Sequence, residues 1–313
     1  MHDLIVRVEN SLAKALEYVL TRQESSGSWV EWQLPPGASR TWTTAFVGYK
    51  LRLLPSPLRE SASNSLARAG QWLAKAENSD GSWGYNEEVE VDADTTAFAI
   101  LFLSSLEFSV ADRNYNRLLE FQRADGGFST YLPRNSTDAW GRSHPDVTPS
   151  ALLALLTKFP SRDTSIRRGL SYAVSQETES GLWNSYWWET PLYATALNLE
   201  LLTLIFPEAD RSRTSKTVLR LSPTTMFEAG LLLSCCCFAF GLCKDKAVSI
   251  CEILLNNQED DGSWPSGAIL RVTRRDCSEP WRSVDSGPYF SDKNRLFTTA
   301  SVIESLSRFG LMN

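Results

Sequence analysis

The sequence predicts an all-α protein folded as a single closed (α/α)6 barrel of six helical hairpins, and three observations lead to that prediction. A short phrase containing Gly and Trp recurs along the chain, which indicates an array of similar supersecondary units. Each copy of the phrase follows a segment with amphipathic helical periodicity. Each copy also precedes a second, more apolar segment of helical length, so the repeating unit is a helical hairpin.

The recurrent phrase marks the junction between the two helices of a unit. We expect its Gly to end the first helix and its Trp or Phe to pack over the junction. The copies are QESSGSW (23–29), ENSDGSW (77–83), QRADGGF (122–128), QETESGLW (176–183) and QEDDGSW (258–264).

Two kinds of helix alternate between these phrases. The first of each pair, such as SLAKALEYVLTRQ, is amphipathic and belongs to an outer layer, whereas the second is apolar nearly all round and belongs inside. A sixth, less regular pair lacks the phrase and consists of RTSKTVLRL followed by TTMFEAGLLLSCCCFAF. Six hairpins are enough to close a ring, so we treat residues 1–313 as one domain.

The connections that lead into the inner helices all meet at one end of such a barrel. Loops gathered at one end of a rigid scaffold are where a functional site is expected. The longest connection, residues 265–295, is long enough to act as a lid or a partner-binding segment. We expect it to lie over the barrel mouth.

Composition excludes several classes of function. A net charge of -6 argues against a nucleic-acid-binding protein, which needs a basic surface. The six cysteines include three consecutive ones and form no CxxC, which favours buried thiols and predicts no metal site. The N-terminus lacks signal-peptide features and no apolar run is long enough to span a bilayer. We therefore expect a soluble, cytoplasmic protein, with peripheral membrane contact left open.

Carboxylates occur at the start of the inner helix only in the second and third repeats. Asp94 and Asp146 occupy the position before the aligned Thr-Thr-Ala segment, and Asp92 and His144 precede them by two residues. We expect these four side chains to converge on one wall as catalytic groups. Carboxylates this close in apolar surroundings cannot all ionise, so at least one should remain protonated as a general acid. Ordinary helix capping is the alternative role for each aspartate.

An aromatic wall is expected opposite these carboxylates, because Trp42, Tyr193 and Phe297 occupy the same position in other repeats. Such rings stabilise positive charge on a ligand by roughly 0.5–2 kcal/mol each. The adjoining loops supply three more aromatic candidates for substrate binding, namely Trp140, Tyr186 and Trp188. Mouth arginines that could hold an anionic head group, or could be ordinary solvated charges, are Arg134, Arg142, Arg271, Arg274 and Arg295.

The motifs resemble those of a known enzyme superfamily. The recurrent phrase resembles the QW motif of squalene–hopene cyclases, oxidosqualene cyclases and class II diterpene cyclases. Asp92-Ala93-Asp94-Thr95-Thr96-Ala97 resembles their DxDDTA motif, and the segment 143–148 is similar to the DVT segment of hopene cyclases. The resemblance implies that Asp94 protonates an alkene of a linear isoprenoid and that Asp92 supports it. It implies no cofactor, with Mg²⁺ needed only for a diphosphate substrate.

This chain departs from that family at three points. Thr95 replaces the last Asp of the motif, as in some drimane-type cyclases, and Ser150 stands where hopene cyclases have a His. Thr95 and Thr96 also recur in other repeats, so we expect structural roles for both. Class II cyclases usually pair two barrels, whereas this chain has room for one. A lone barrel needs a second copy, a second-barrel partner, or a small substrate enclosed by residues 265–295.

Three other functions fit parts of the pattern. A degenerate barrel could bind an isoprenoid or a partner without turnover. The β subunits of protein prenyltransferases are similar single barrels, but residues 295–299 offer no His where that family places a zinc ligand. Carbohydrate-active (α/α)6 enzymes also use paired carboxylates and aromatic platforms.

Overall fold

A computed structural model describes residues 2–312, and its regular secondary structure is almost entirely helical, with the helices in two alternating layers. The helices are α1 (His2–Thr21), α2 (Arg40–Lys50), α3 (Ser56–Lys75), α4 (Ala93–Ser105), α5 (Asp112–Leu119), α6 (Thr148–Leu156), α7 (Thr164–Ser175), α8 (Leu192–Ile205), α9 (Ser212–Arg220), α10 (Met226–Phe238), α11 (Phe240–Asn256) and α12 (Leu296–Leu311). Short 3-10 helices span Leu51–Leu53, Ala139–Gly141 and Pro280–Arg282. Two antiparallel hairpins pair β1 (Gln33–Leu34) with β2 (Gly37–Ala38) and β3 (Ile269–Arg271) with β4 (Tyr289–Ser291).

The even-numbered helices form a closed inner ring. Each packs against the next even-numbered helix, and α12 packs against α2 to complete the circle. Sequence periodicity explains the layering, because α1 buries only one face whereas nearly every residue of α4 before its last turn is buried. The predicted (α/α)6 barrel of six hairpins is confirmed. No helix in the described part of the chain combines the length and apolarity needed to cross a bilayer.

The recurrent phrase ties the two helices of a hairpin together through its Trp. The indole N–H of Trp29 donates to the carbonyl oxygen of Val19 near the end of α1, at 2.9 Å. The backbone N–H of the same residue donates to the hydroxyl of Thr44 in α2, also at 2.9 Å. Trp83 repeats both bonds, with Leu73 and Thr96. The structural role expected for Thr96 is therefore present in the fold.

The glycine of the phrase shapes a turn rather than the end of the helix. Helix α1 ends at Thr21, before the phrase begins, and Gly27 follows with a φ of +100°. A Cβ at Gly27 would lie 2.7 Å from the carbonyl oxygen of Arg68 in the next outer helix, so glycine is required there for two reasons. The expectation that this Gly ends the helix is corrected accordingly.

The long connection before α12 crosses the loops of the third and fourth repeats. Leu270 forms a β-bridge with Trp188, and Ala139 donates its backbone N–H to the carbonyl oxygen of Arg275 at 2.7 Å. The buried guanidinium of Arg271 donates to the carbonyl oxygens of Ser185, Tyr186 and Trp188. These bonds hold the connection against the end of the barrel where the inner helices begin.

Candidate active site

A cavity of about 530 Å³ lies at the end of the barrel where the inner helices begin. Its volume is within the range of small-molecule sites in proteins. Most of its lining is apolar or aromatic, and three of the polar side chains are Asp92, Asp94 and Asp146. Val272 and Arg275 of the long connection also line it. The cavity therefore joins residues of the inner ring to residues of the loops.

Asp92 and Asp94 begin the same helix but have different surroundings. Asp92 is the N-cap of α4, and its two carboxylate oxygens accept from the backbone N–H and the hydroxyl of Thr95, at 2.7 and 2.8 Å. Asp94, in the first turn, accepts from the indole N–H of Trp42 at 3.1 Å and from the hydroxyl of Ser150 at 2.9 Å. Capping therefore accounts for the position of Asp92 and not for that of Asp94.

Asp146 comes just before α6 and is almost fully buried. Its Oδ2 accepts the backbone N–H groups of Tyr186 and Trp187, both at 2.8 Å. Its Oδ1 has no hydrogen-bond partner among the described residues. One oxygen of this carboxylate is thus held by the fourth-repeat loop and the other is unused.

Burial raises the pKa of all three aspartates, because a charged carboxylate is poorly solvated in an apolar cavity. The pKa of Asp94 rises to about 8, since the neighbouring charge of Asp92 adds to burial. The pKa of Asp92 rises to about 7, and the bonds from Thr95 oppose the effect of burial. The pKa of Asp146 rises only to about 6, because backbone N–H groups stabilise the anion. At neutral pH Asp94 keeps its proton and Asp146 is mostly ionised.

The hydroxyl of Ser150 can serve both protonation states of Asp94. Its oxygen lies 2.9 Å from Asp94 Oδ1 and also 2.9 Å from the carbonyl oxygen of Val147. The indole N–H of Trp42 can only donate, so Asp94 Oδ2 acts as an acceptor and the acidic proton resides on Oδ1. Ser150 can donate to Val147 while Asp94 is neutral and turn its proton to Oδ1 once Asp94 ionises.

His144 does not join the aspartates in the cavity lining, so the expected convergence of all four groups is wrong. Its Nε2 donates to the carbonyl oxygen of Ala139 at 2.9 Å, and its Nδ1 lies 2.8 Å from the hydroxyl oxygen of Thr130. The ring stacks on Tyr186, with the ring centroids 3.8 Å apart. Burial lowers the pKa of His144 to about 3, so the imidazole is neutral and fully occupied.

The expected aromatic wall is only partly present. Trp42, Trp188 and Tyr193 line the cavity, but Trp42 adjoins Asp94 rather than facing it. Phe297 is fully buried behind the cavity, where it stacks on Phe46 with centroids 3.9 Å apart. Its ring also packs against Trp32, Trp42 and Trp188, with ring centroids 4.3, 4.8 and 5.6 Å away.

Three further residues proposed for substrate binding lie outside the cavity lining. Tyr186 is buried, and its hydroxyl donates to the carbonyl oxygen of Cys277 at 2.9 Å. Arg142 is exposed. Arg295 forms an ion pair with Asp261 at 2.7 Å. Trp140 does line the cavity, as Arg134 does.

The sequence analysis gave Thr95 a purely structural role, and it did not single out several other residues of the lining. Thr95 lines the cavity and donates to Asp92. Tyr85, Tyr131 and Trp187 contribute rings to the lining. An aromatic residue two to four positions after the phrase recurs in repeats two, three and four, and this regularity could have revealed all three rings.

The cations at the cavity mouth are paired with carboxylates. Arg134 forms an ion pair with Glu90 at 2.9 Å. The Nη1 of Arg275 donates to both oxygens of Asp138, at 2.9 and 3.1 Å, and its guanidinium lies 3.9 Å from the ring centroid of Trp140. Within residues 2–312 no group of three or more His, Cys, Asp or Glu side chains is placed to hold a metal ion.

Solved structures similar to this chain share its barrel. The type II terpene cyclase MstE from Scytonema matches with a TM-score of 0.87 and 23% identity, covering 100% of both chains. Its structures include complexes with geranylgeranyl dihydroxybenzoate, described as the substrate, and with merosterolic acid A, described as the product. The ent-copalyl diphosphate synthase from Streptomyces platensis matches with a TM-score of 0.61 and 17% identity, covering 86% of this chain and 50% of that one.

The curated protein drimenyl diphosphate synthase from Streptomyces showdoensis is 28% identical over 154 residues, which are 47% of this chain and 26% of that protein. No family model matches. An unsaturated glucuronyl hydrolase specific for heparin also matches, with a TM-score of 0.61, 10% identity, and 100% and 98% of the two chains covered. Because two chemistries share this barrel, the fold alone does not identify the reaction.

Proposed function

We propose that this chain is a class II-type terpene cyclase, in which Asp94 protonates an alkene of a linear isoprenoid. The observation that carries the proposal is a carboxylic acid that stays protonated at neutral pH while it lines an apolar, aromatic cavity. The names of the similar proteins support it, since MstE is a type II terpene cyclase and the curated relative makes drimenyl diphosphate.

The first step transfers one proton from Asp94 Oδ1 to an alkene carbon. The π electron pair forms the new C–H bond, the more substituted carbon becomes cationic, and Asp94 becomes a carboxylate. Each ring then closes as the π pair of the next alkene attacks the cation. Loss of a proton or addition of water ends the sequence, and Asp94 regains a proton from solvent. Initiation in this scheme uses no cofactor.

The cavity walls would stabilise the cation while it moves along the chain. The rings of Trp42, Trp188 and Tyr193 line the cavity, and each aromatic face can stabilise a cation by roughly 0.5–2 kcal/mol. Asp146 is mostly ionised and its Oδ1 has no other partner, so it adds a negative charge close to the reaction. Asp92, the N-cap of α4, raises the pKa of Asp94 and so helps to keep it protonated.

The 265–295 segment would close the cavity at the mouth of the barrel. Val272 and Arg275 of this segment line the cavity, and Arg271 anchors it to the fourth-repeat loop. Excluding water matters because a carbocation is trapped by any water that reaches it. In this proposal the barrel and this segment together enclose the substrate.

The decisive experiment compares Asp94→Asn with the wild-type chain on linear isoprenoid substrates. We expect product formation to fall by at least about 10²–10⁴-fold, because the amide cannot supply the proton. Substrate binding should persist, since Asn has nearly the same shape as the neutral acid. Asp245→Asn, a change at an exposed position of α11, is the matched control and should retain full activity.

Unchanged turnover in Asp94→Asn would remove Asp94 as the acid. Binding of isoprenoids without turnover by the wild-type chain would instead indicate a barrel that binds a ligand without converting it.

A further inference from the structure

The two arginines that line the cavity are already neutralised. Arg134 pairs with Glu90, and Arg275 donates to both oxygens of Asp138. Glu90 itself lines the cavity beside them. Each pair carries no net charge, so neither offers an unpaired cation to an anionic ligand.

The ion pair between Arg275 and Asp138 is costly to break, because its carboxylate is buried. Asp138 is almost fully buried and also accepts the backbone N–H groups of Arg134 and Trp140, at 3.1 and 3.3 Å. Burial acts to raise the pKa of Asp138, but these backbone bonds and Arg275 together lower it, so the carboxylate remains charged. Moving Arg275 to a ligand would leave a buried carboxylate without its counter-ion, which is strongly unfavourable.

Neighbouring arginines are occupied elsewhere. Arg271 is buried and donates to three backbone carbonyl groups. Arg274 pairs with Asp276 and Asp285, both at 2.8 Å. A diphosphate carries several negative charges, and proteins recognise such groups through charge-assisted bonds from free Arg or Lys side chains. The cavity lining supplies none that is unpaired.

A cluster of aromatic rings lies beside Arg275 instead. Tyr131 and Trp140 stack with centroids 5.3 Å apart, and Trp187 meets Trp140 edge-on at 5.2 Å. The indole N–H groups of Trp140 and Trp187 donate to the carbonyl oxygen of Thr273 and the hydroxyl of Thr130, both at 2.7 Å, which holds both rings in place. All three rings line the cavity, where they form an aromatic surface suited to an apolar group.

We infer that the isoprenoid substrate carries an aromatic head group, uncharged or singly charged, which binds against Tyr131, Trp140 and Trp187, and that it does not carry a diphosphate. The inference rests on the proposed function and specifies its substrate class. The charge of ionised Asp146 strengthens the distinction, because this carboxylate lines the cavity and repels a multiply charged anion.

The test measures binding of two ligands with the same isoprenoid chain to the Asp94→Asn protein, which should bind without turnover. Calorimetry would give the Kd of geranylgeranyl dihydroxybenzoate and that of geranylgeranyl diphosphate, the latter with and without Mg²⁺. We expect the aromatic ligand to bind at least about ten-fold more tightly. A diphosphate that binds equally well or better overturns the inference and leaves the proposed function intact, whereas binding of neither ligand overturns both.

Two variants locate the head group. Trp140→Leu removes the indole ring and should weaken binding of the aromatic ligand at least about five-fold. Trp140→Phe keeps an aromatic ring and should restore most of the affinity. Geranylgeraniol, which has the isoprenoid chain without the aromatic ring, should bind with the same Kd to the Asp94→Asn protein and to its Trp140→Leu and Trp140→Phe derivatives. If Trp140→Leu weakened the binding of geranylgeraniol and of the aromatic ligand equally, the change would reflect a general packing defect. That result would contradict the assignment of the head-group site.

Discussion

The two ends of the barrel interior both hold buried carboxylates, but in opposite electrostatic states. At the mouth, Asp94 accepts bonds only from neutral donors, and burial together with the charge of Asp92 raises its pKa to about 8. At the far end, Glu304 contacts Lys50 at 2.5 Å and Arg52 at 2.6 Å. Burial again acts to raise the pKa of Glu304, but these cations and Arg308 lower it well below its usual range.

Burial alone therefore does not decide whether a carboxylate in this barrel keeps its proton; the partner does. At the far end, Glu304 and Glu200 pair with cations from α2, from the 3-10 helix that follows α2, and from α12. These ion pairs therefore link different helices of the inner ring. At the mouth, no described side chain places a cation against Asp94, so this acid keeps its proton at neutral pH. We assign stability to one end and chemistry to the other.

Glu304→Gln should produce the largest change in stability. Removing one charge leaves Lys50 and Arg52 buried with too few counter-charges, so we expect the free energy of unfolding to fall by about 3–5 kcal/mol. Activity per folded molecule should change little. Asp94→Asn should show the reverse, losing activity without losing stability, because an amide avoids the cost of burying an ionisable carboxyl group. Urea unfolding and steady-state rates measure both quantities.

The contrast between the ends would fail if Asp94→Asn were as destabilising as Glu304→Gln. It would also fail if Glu304→Gln abolished turnover in protein that is fully folded.

The pH dependence of activity and stability should also differ between the ends. Activity requires protonated Asp94, so it should fall about tenfold per pH unit above about 8. The folded pKa of Asp94 exceeds the ordinary 3.8, so its contribution to stability is full below about pH 4 and is lost as pH rises towards 8. The folded pKa of Glu304 lies below the ordinary 4.5, so its contribution is present above that pH and is lost as pH falls.

Melting temperatures between pH 3 and pH 9 would separate the two contributions. Asp94→Asn should reduce the loss of stability on the alkaline side, to which the raised pKa values of Asp92 and Asp146 also contribute, and Glu304→Gln should reduce the loss on the acid side. The same pH profile in both variants would show that other groups govern the response.

Ser150→Ala should have the smallest effect of these substitutions, and it tests the hydrogen bond between Ser150 and Asp94 at the mouth. The hydroxyl lowers the pKa of Asp94, so its loss should raise that pKa and move the alkaline limb of the activity profile upwards. A hydrogen bond worth about 0.5–1.5 kcal/mol corresponds to a shift of about 0.4–1 pH unit. The maximal rate should fall several-fold, because the carboxylate that forms is less stabilised. Ser105→Ala, at the other end of α4, is the control and should leave the profile unchanged.

A profile of Ser150→Ala that moves to lower pH, or does not move, would contradict the assigned hydrogen bond. A rate loss without a pH shift would point to a packing defect.

Sequence reasoning predicted the architecture because the information is local and repeated. The amphipathic and apolar periods distinguish outer helices from inner ones, and the phrase that contains Trp29 or Trp83 recurs at five of the six junctions. Aligning repeats also indicated that Asp94 and Asp146 begin neighbouring inner helices, because equivalent positions of a repeat face the same way. Their presence in one cavity follows from that alignment.

The sequence by itself thus determined the hairpins, the closed ring and the positions at which carboxylates enter the barrel. Only the tertiary structure decided that both ring nitrogens of His144 are hydrogen-bonded to a backbone carbonyl and a hydroxyl group. It likewise decided that Phe297 packs behind the cavity and that Trp42 adjoins Asp94. It also decided the partners of Glu304, because Lys50 lies 254 residues away in the chain. The physical reason is that the direction of a side chain and the charge beside it depend on neighbours from distant helices, which no local period encodes.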